Sequence, residues 1–367
     1  MVKITDQYTI KIKLKREGTS GPSTRDSMYK EETYAFDSCF GQNSTQDEIF
    51  EDTKMLMQSA IDGFNVCVFA YGQTGSGKTH TIQGSDDSPG IVPRALRELF
   101  DLKQKYESNQ GFTINFECYI VELYLDQLHD LLYAPETAQA DKPRLELRED
   151  PNSGMININN VQQCALNSIE DATEVYQFGV QQRKTACTAM NQDSSRSHFI
   201  FSIIVNTFNH NTNTRSTAKI SFVDLAGSER VKKSNPTLAQ QKEANEINKS
   251  LMSLKDVIRK LSEGPTDQYV PYRDNKLTQL MRDSIGGNSK TLMFVNISPA
   301  DYNSQESKMS LIFAENAKKI KNNVSKNVES KEVAKLKDEI TALRRQLTTG
   351  VPVNTSAALA TSFNSSS

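Results

Sequence analysis

The stretch FAYGQTGSGKTH, at residues 69–80, constrains the fold more than any other part of the chain. Its core matches the pattern G-x-x-x-x-G-K-[S/T], which requires two glycines, a lysine and a hydroxyl residue at fixed spacing. These positions hold Gly72, Gly77, Lys78 and Thr79. The apolar run VCVFAY before the loop predicts a buried strand, and PRALRELFDLKQKY after it has helical spacing. We therefore predict a phosphate-binding loop between a strand and a helix.

The loop has the chemistry to bind a nucleoside triphosphate. Because glycine lacks a Cβ atom, Gly72, Gly75 and Gly77 let backbone N–H groups approach phosphate oxygens, and the start of the following helix adds a favourable dipole. Lys78 is expected to reach the β- and γ-phosphates, and the Thr79 hydroxyl to bind Mg²⁺. The loop residues predicted to contact the nucleotide are Gly72, Gln73, Thr74, Gly75, Ser76, Gly77, Lys78 and Thr79.

The composition excludes several classes of protein. A net charge of −2 over 367 residues argues against a generally basic protein that coats nucleic acid. The five cysteines include no C-x-x-C pair, so we expect neither a disulfide framework nor a zinc site, and a reducing, cytosolic compartment. No apolar run approaches the roughly 18 residues that span a bilayer. The sequence therefore predicts a soluble protein without a membrane or nucleic-acid partner.

The order of apolar runs indicates the fold class. Strand-like runs alternate with helix-like runs, which favours an α/β layered fold over a helical bundle. The strand-like runs are YTIKIKL, FTINFECYIVELY, FIFSIIVNTF, KISFVDL and KTLMFVNIS. Loops are predicted at residues 16–27, around 133–143 and around 209–216.

Two further segments contain the groups that triphosphate cleavage requires: a carboxylate near Mg²⁺, a group that orients water and a sensor of the γ-phosphate. In KISFVDLAGSER, Asp224 ends an apolar strand, and Gly227 follows where a backbone N–H can approach the terminal phosphate. NQDSSRSHFIF offers the hydroxyls of Ser194, Ser195 and Ser197 in a polar loop before a strand. Taken separately, each segment is equally compatible with ordinary loop chemistry.

The three motifs together, unlike each one alone, point to a single protein family. GQTGSGKT, NxxSSRSH and DLAGSE, in that order, resemble the kinesin motor family from about Tyr34 to Asn323. KEANEINKSL, YVPYRDNKLTQLMRDSIGGNSKT and LMFVNISPA match as well. The resemblance implies a kinesin-type P-loop NTPase fold, with a central, mostly parallel or mixed β-sheet and helices on both faces. It also implies ATP and Mg²⁺ as ligands, microtubules as the partner and a place on the cytoskeleton.

The resemblance implies a role for each matched residue of NxxSSRSH and DLAGSE, here called switch one (191–198) and switch two (224–229). Ser195 would contact Mg²⁺ and the γ-phosphate, and Ser194 would help to hold the attacking water. Thr79 would share the metal with Ser195, and Asp224 would hold it through water.

Five residues are implied to sense or enclose the nucleotide. Arg196 and Glu229 would form a salt bridge when the two switches close around ATP. Breaking a buried ion pair costs about 3–5 kcal/mol, which is enough to shift a two-state loop. Asn191 and Gly227 would sense the terminal phosphate. His80 would stack on adenine.

The resemblance also gives hydrolysis a mechanical consequence. Switch two leads into KEANEINKSLMSLKDVIRKL, which forms the relay helix of the family and also contacts the microtubule. Loss of the γ-phosphate contact at Gly227 would release that helix. Because the tubulin surface is acidic, a locally basic face is expected. Its candidate residues are Lys232, Lys233, Lys249, Lys255, Arg273, Lys276 and Arg282.

Finer features favour one branch of the family. DGFNVC, Ser76 and PGIVPRALRELF resemble the C-terminal-motor kinesins, which move toward microtubule minus ends. CYIVELYLDQLHDLL, GSERVKKS and SKNVESKEVAKLK resemble the kinesin-like calmodulin-binding proteins within that branch. Two alternatives stay open. AENAKKIKNNVSKNV also resembles the neck linker of plus-end, N-terminal motors, and a microtubule-binding module with impaired ATP turnover is the second alternative.

The second alternative arises from the start of the chain. The R-x-R-P strand that opens kinesin motors is not found before YTIKIKLKREG, so the first strand is expected to be missing. We predict a motor domain at 1–323, a neck-like or neck-mimic segment with a short coiled-coil helix at 324–347, and a disordered tail at 348–367, which contains no charged residue.

The neck-like segment has two possible modes of packing. Its apolar positions have the spacing of a coiled-coil seam, which would form a homodimer or dock on the motor. A helix this short is marginal alone, so docking is favoured. Asp338, Glu339 and the lack of an aromatic anchor argue against calmodulin as a partner. The seam residues are Val333, Leu336, Ile340, Leu343 and Leu347.

Overall fold

The computed structural model describes residues 2–15, 29–109, 111–133, 143–189, 194–229, 238–264, 269–330 and 336. The helices are α1 (Gln46–Ile61), α2 (Lys78–Ile82), α3 (Ile91–Asn109), α4 (Ile169–Ala189), α5 (Leu238–Ser262), α6 (Lys276–Leu280) and α7 (Ser304–Lys318). The strands are β1 (Val2–Asp6), β2 (Thr9–Lys15), β3 (Tyr29–Ala35), β4 (Asn65–Gly72), β5 (Phe112–Tyr124), β6 (Gln127–Asp130), β7 (Glu146–Glu149), β8 (Ile156–Asn159), β9 (Cys164–Leu166), β10 (His198–Asn209), β11 (Thr214–Asp224), β12 (Ser289–Asn296) and β13 (Val328–Ser330).

A central eight-stranded sheet has the order β12-β4-β11-β10-β5-β6, with β9 beside β5 and β13 beside β11. The pairs β12–β4 and β4–β11 are parallel, and the pairs from β11 to β6 are antiparallel. Every residue of β4 is buried, as expected for a strand with parallel neighbours and both faces covered. The predicted mixed sheet with flanking helices is therefore confirmed.

Alternate residues of the sheet enter two different cores, because side chains along a strand point to opposite faces. Phe222 belongs to the core under α1, α3 and α4, whereas the next residue, Val223, belongs to the core under α5, α6 and α7. In the second core, Tyr71 of β4 stacks on Phe313 of α7 with ring centroids 4.0 Å apart. The helices on each face thus hold the ends of β4 and β11 in fixed positions.

The hairpin between β10 and β11 is tighter than the sequence predicts. The predicted loop at 209–216 overlaps the start of β11, because Asn209 pairs with Thr214 and the ladder continues to the turn. Asn213 in the turn has a positive φ of 56°, a conformation that asparagine tolerates better than most residues. The other predicted loops and the tail at 348–367 lie outside the described residues, except for the edges of the loop around 133–143.

Part of the predicted neck-like segment lies on the motor core. β13 pairs with β11, with Val328 opposite Ser216. Asn327 donates from its backbone to Gly63 O at 2.8 Å and from its side chain to Asn65 Oδ1 at 3.0 Å. Of the coiled-coil seam only Leu336 is among the described residues, so the mode of packing of the seam stays a prediction. No helix in the described ranges is both long and apolar enough to cross a membrane.

Candidate nucleotide-binding site

The phosphate loop leaves the sheet at the C-terminal end of β4, where the strand is in contact with β12. A Cβ atom on Gly72 would lie 2.0 Å from the carbonyl oxygen of Asn296, so only glycine allows the two strands to approach here. Lys78 is buried, and its Nζ donates to Gln73 O at 2.9 Å, across the loop. Thr74, Gly75 and Thr79 face solvent. The loop therefore exposes backbone groups and a hydroxyl to solvent, while its buried lysine is hydrogen-bonded to a carbonyl of the loop itself.

Asp224, at the end of β11, is 1% exposed and lies under the helix that follows the loop. Thr79 Oγ1 donates to its Oδ2 at 2.7 Å, and Arg183 Nη1 of α4 donates to the same oxygen at 3.0 Å. Its other oxygen, Oδ1, is buried and has no hydrogen-bond partner among the described residues. A hydroxyl and a carboxylate oxygen with spare acceptor capacity are the donor types that Mg²⁺ prefers. The residues present therefore fit the predicted metal.

Switch one and switch two are joined directly by their backbones. Ser194–Arg196 forms a 3₁₀ turn, and Gly227 N donates to Ser195 O at 2.8 Å. A Cβ atom on Gly227 would lie 2.3 Å from Thr74 Oγ1, so this glycine also allows switch two to contact the phosphate loop. Ser228 N donates to Gly72 O at 3.0 Å. A shift of either switch must therefore disturb the other.

Glu229 connects switch two to the phosphate loop through its side chain. Its Oε2 accepts from Thr74 N at 2.7 Å, and its Oε1 accepts from Thr74 Oγ1 at 2.5 Å. The ion pairs between described residues do not join Glu229 to Arg196. The predicted salt bridge between these two residues stays a prediction, since the structure holds the carboxylate on the phosphate loop.

A cavity of about 1380 Å³ lies beside the loop, along the outer edge of β12. Ser76, Gly77 and His80 line its end at the loop, whereas its lining within the described part of the chain includes neither Lys78 nor Asp224. Gln46 of α1 holds His80 from one side, because its Nε2 donates to His80 O at 2.7 Å and lies 3.1 Å from Nδ1. Stacking of His80 on adenine stays a prediction.

Residues 3–320 match the family profile of the kinesin motor domain. The chain belongs to the kinesin motor family. Kinesin-like protein KIN-14E of Arabidopsis thaliana is 46% identical over 317 residues, which are 86% of this chain and 24% of that protein. The chain spans from 24% to 38% of the length of eight curated relatives that it matches. The predicted family is confirmed.

Two solved structures show the same fold. The C-terminal motor and motor homology domain of Kar3Vik1, fused to a synthetic coiled coil, has a TM-score of 0.72 and 33% identity, covering 88% of this chain and 79% of that one. A KIF14 dimer in a two-heads-bound state, with AMP-PNP in complex with a microtubule, has a TM-score of 0.78 and 32% identity, covering 92% of this chain and 93% of that one. The predicted kinesin-type fold is thus confirmed.

Arg183 is a site residue that sequence reasoning missed. It is 3% exposed, and besides Asp224 it binds Ser197 O through Nη2 at 3.0 Å. Its Nε lies 3.9 Å from Glu122 Oε1, and Ser197 Oγ donates to that oxygen at 2.5 Å. A single arginine in the helix-like run GVQQRKTAC is typical of a solvated helix face, so the local sequence does not indicate that Arg183 is buried or belongs to the site. Only the packing of α4 on the sheet shows that it is buried.

The predicted basic residues that the structure describes lie on or next to α5 and α6, which pack against each other. Lys249 on α5 is exposed and lies 3.7 Å from Glu246. Arg273 precedes α6 and is exposed. Arg282 is less available, because it forms an ion pair with Glu149 and lies over the ring of Tyr272. Lys255 belongs to α5, and Lys276 begins α6. The remaining site predictions, Asn191, Lys232 and Lys233, lie outside the described residues.

Proposed function

We propose that the chain hydrolyses ATP to ADP and phosphate, with Mg²⁺ as the cofactor, and uses this reaction to move along microtubules. One observation carries the proposal: the phosphate loop, both switches and α5 form one continuous hydrogen-bonded unit. Ser228 and Glu229 tie switch two to the loop, and Gly227 ties it to switch one. The last residue of switch one, His198, lies with its Nε2 2.9 Å from Ser250 Oγ of α5. A group that binds or leaves at the loop is therefore in mechanical contact with a long surface helix.

In this proposal the residues of the loop and the switches bind the phosphates, the attacking water and Mg²⁺. Lys78 neutralises charge on the β- and γ-phosphates, and the backbone N–H groups of the loop hold the same oxygens. Ser194 orients the attacking water, which forms a bond to the γ-phosphorus as the bond to the β–γ bridging oxygen breaks. Bound Mg²⁺ supplies further neutralisation of the developing charge. Thr79, Ser195 and Asp224 are the residues that would hold it.

The loss of the terminal phosphate is the event that we connect to movement. Gly227 and Asn191 are proposed to contact that phosphate, and Arg196 and Glu229 to pair when the switches close. Both require an exchange of partners: the N–H of Gly227 from Ser195 O to the phosphate, and the carboxylate of Glu229 from Thr74 to Arg196. A carboxylate that accepts two hydrogen bonds from the loop in one state and pairs with arginine in another gives the two states different contacts, as any coupled transition requires.

The proposed partner is the microtubule, and the proposed location is the cytoplasmic cytoskeleton. The solved KIF14 structure contains a microtubule. In this chain the candidate contacts are the basic residues on and next to α5 and α6. Attraction between exposed charges is screened beyond about 10 Å at 0.1 M salt. Binding should therefore weaken steeply as ionic strength rises.

We propose movement toward the minus end. The support is the likeness to KIN-14E and to the C-terminal motor of Kar3Vik1, together with Ser76 and DGFNVC in the sequence. Plus-end movement is the alternative. Gliding of polarity-marked microtubules over the immobilised protein separates the two directions.

Dimerisation through the seam at 333–347 is a separate proposal, and sedimentation with and without those residues tests it. Binding of calmodulin is not favoured.

Phosphate release with and without microtubules tests the enzyme proposal. We expect release that microtubules accelerate, and an absence of release in the Lys78→Ala variant. A matched control is Lys103→Ala, because Lys103 of α3 likewise binds a backbone carbonyl, that of Ile114, but lies outside the phosphate loop and both switches. Release equal to that of Lys78→Ala would refute catalysis. Microtubule binding without release would instead support a binding module with impaired turnover.

A further inference from the structure

We propose that His198 is a positioning residue that transmits the state of switch two to the relay helix α5 through Ser250. This inference rests on the proposed motor function and identifies the path from the switches to the track-binding helix. His198 is the last residue of switch one and the first of β10, and it is 3% exposed.

The imidazole ring of His198 lies between switch two and α5 and contacts both. Its Nδ1 is 3.1 Å from the backbone nitrogen of Ala226, and its Nε2 is 2.9 Å from Ser250 Oγ. Ser250 Oγ in turn lies 2.7 Å from Ile247 O, one turn earlier in α5. The ring therefore bridges the peptide before Gly227 and the middle of the relay helix.

These contacts allow one arrangement of protons. The Ala226 N–H group can only donate, so Nδ1 of His198 must accept and the ring proton must lie on Nε2. The carbonyl of Ile247 can only accept, so the hydroxyl proton of Ser250 is used there. Ser250 Oγ then accepts from Nε2–H. Each donor along the chain points in the same direction, from switch two toward α5, and each acceptor is satisfied.

The position of the ring explains why it can transmit a displacement. Gly227 N binds Ser195 O, so loss of that contact moves the peptide of Ala226, which is its neighbour. The ring cannot follow freely, because β10 lies between β11 and β5 in the centre of the sheet. Hydrogen bonds weaken steeply when their length or angle departs from the ideal. A movement of switch two must therefore break the bond at Nδ1 or be passed to Ser250.

A buried histidine with satisfied nitrogens is also compatible with a structural role alone. The two roles predict different measurements. A structural residue affects the stability of the fold in every nucleotide state to the same extent. A transmitting residue affects the difference between nucleotide states, which here is the ratio of microtubule affinities with AMP-PNP and with ADP.

Ser250→Ala is the most direct test, because it removes the acceptor on α5 and leaves His198 in place. Ser262→Ala is the matched control on the same helix. Ser262 Oγ likewise bonds a carbonyl three residues earlier, that of Arg259 at 2.7 Å, but it is only half-buried and ends the helix, 12 residues beyond Ser250. His198→Asn is a second variant, since the shorter amide can still accept from Ala226 but cannot reach Ser250.

The experiment measures microtubule cosedimentation of the whole chain with ADP and with AMP-PNP, and phosphate release without microtubules. We expect Ser250→Ala and His198→Asn each to reduce the affinity ratio by about threefold to tenfold, the size expected for one internal hydrogen bond. The double variant should be no worse than either single variant, because both remove the same contact. Ser262→Ala should keep the wild-type ratio. Unstimulated phosphate release by Ser250→Ala should stay within twofold of wild type.

A Ser250→Ala ratio equal to that of wild type would overturn the inference, and so would fully additive effects in the double variant. These results would leave the proposed function intact if the wild-type chain releases phosphate and binds microtubules differently in the two nucleotides. A wild-type chain without either property would instead refute the motor proposal itself. If His198→Asn fails to fold, Ser250→Ala and its control still decide the outcome.

Discussion

Thr79 Oγ1 donates a hydrogen bond of 2.7 Å to Asp224 Oδ2, and this contact ties the helix after the phosphate loop to the end of strand β11. The two residues come from different motifs, and both are proposed to hold Mg²⁺. The hydroxyl thus has a partner that would compete with the metal, while Asp224 Oδ1 is buried without a partner in the described part of the chain.

Thr79→Val should reduce phosphate release by about a hundredfold, because it removes a proposed metal ligand and the contact with Asp224 but keeps the shape of the side chain. The Mg²⁺ concentration for half-maximal release should rise. Thr173→Val is the control, since Thr173 Oγ1 bonds only Ile169 O of its own helix in the described structure. An unchanged magnesium dependence would count against metal binding by Thr79.

Arg183→Leu should lower the free energy of unfolding by about 3–5 kcal/mol, since it leaves the buried carboxylate of Asp224 without its cation. Urea unfolding at pH 7 measures this change. The control is Arg148→Leu, where the arginine pairs with Glu146 at 3.5 Å and both side chains are more than half exposed. That change should be below about 1 kcal/mol. Equal losses for the two variants would contradict the assignment of Arg183 to a buried ion pair.

His198 should make the protein less stable in acid. Burial, with the positive charges of Arg183 and Lys78 nearby, lowers the pKa of His198 to about 3 from 6.5. Because the folded pKa is the lower one, the unfolded chain binds the proton more readily. The contribution to stability is therefore complete above about pH 6.5 and is lost as the pH falls toward 3, with a slope of about 1.4 kcal/mol per pH unit.

Urea unfolding between pH 7 and pH 5 measures this slope. His198→Asn should have a shallower pH dependence than wild type by one proton, whatever its absolute stability. His210→Asn, which replaces an exposed histidine next to the β10–β11 turn, should keep the steep slope. If all three proteins lose stability in parallel, His198 does not have the lowered pKa.

Arg273→Ala should weaken microtubule binding more than Arg282→Ala does. Arg273 is exposed, whereas Arg282 is already paired with Glu149 and lies over Tyr272. We expect a loss of about threefold or more for Arg273→Ala at low salt, shrinking as ionic strength rises. Arg97→Ala on α3, on the opposite face of the sheet, is the control for a general charge effect. Cosedimentation over a salt series would refute the assignment if Arg97→Ala had the same effect.

The elements that the sequence predicted well are those with a strong local pattern. β4 and β5 follow from uninterrupted or alternating apolar runs, and the phosphate loop follows from glycines at fixed spacing. The same information places Lys78 and Thr79 at the end of this loop, since their neighbours in the chain are also their neighbours in space, and their contacts with a nucleotide stay a prediction. The start of β11 was predicted too late, because pairing across the hairpin outweighs the polar composition of Thr214 and Arg215.

The sequence alone determined that this chain forms an α/β fold with a phosphate loop and belongs to the kinesin motors. Both properties follow from the local spacing of residues and from the order of the motifs. Only the tertiary structure decided that Arg183 neutralises Asp224, that Glu229 binds Thr74 and that His198 reaches Ser250. Each of these partners is distant in the chain. Such contacts depend on which face of a helix packs on which strand, and local sequence patterns do not predict that packing.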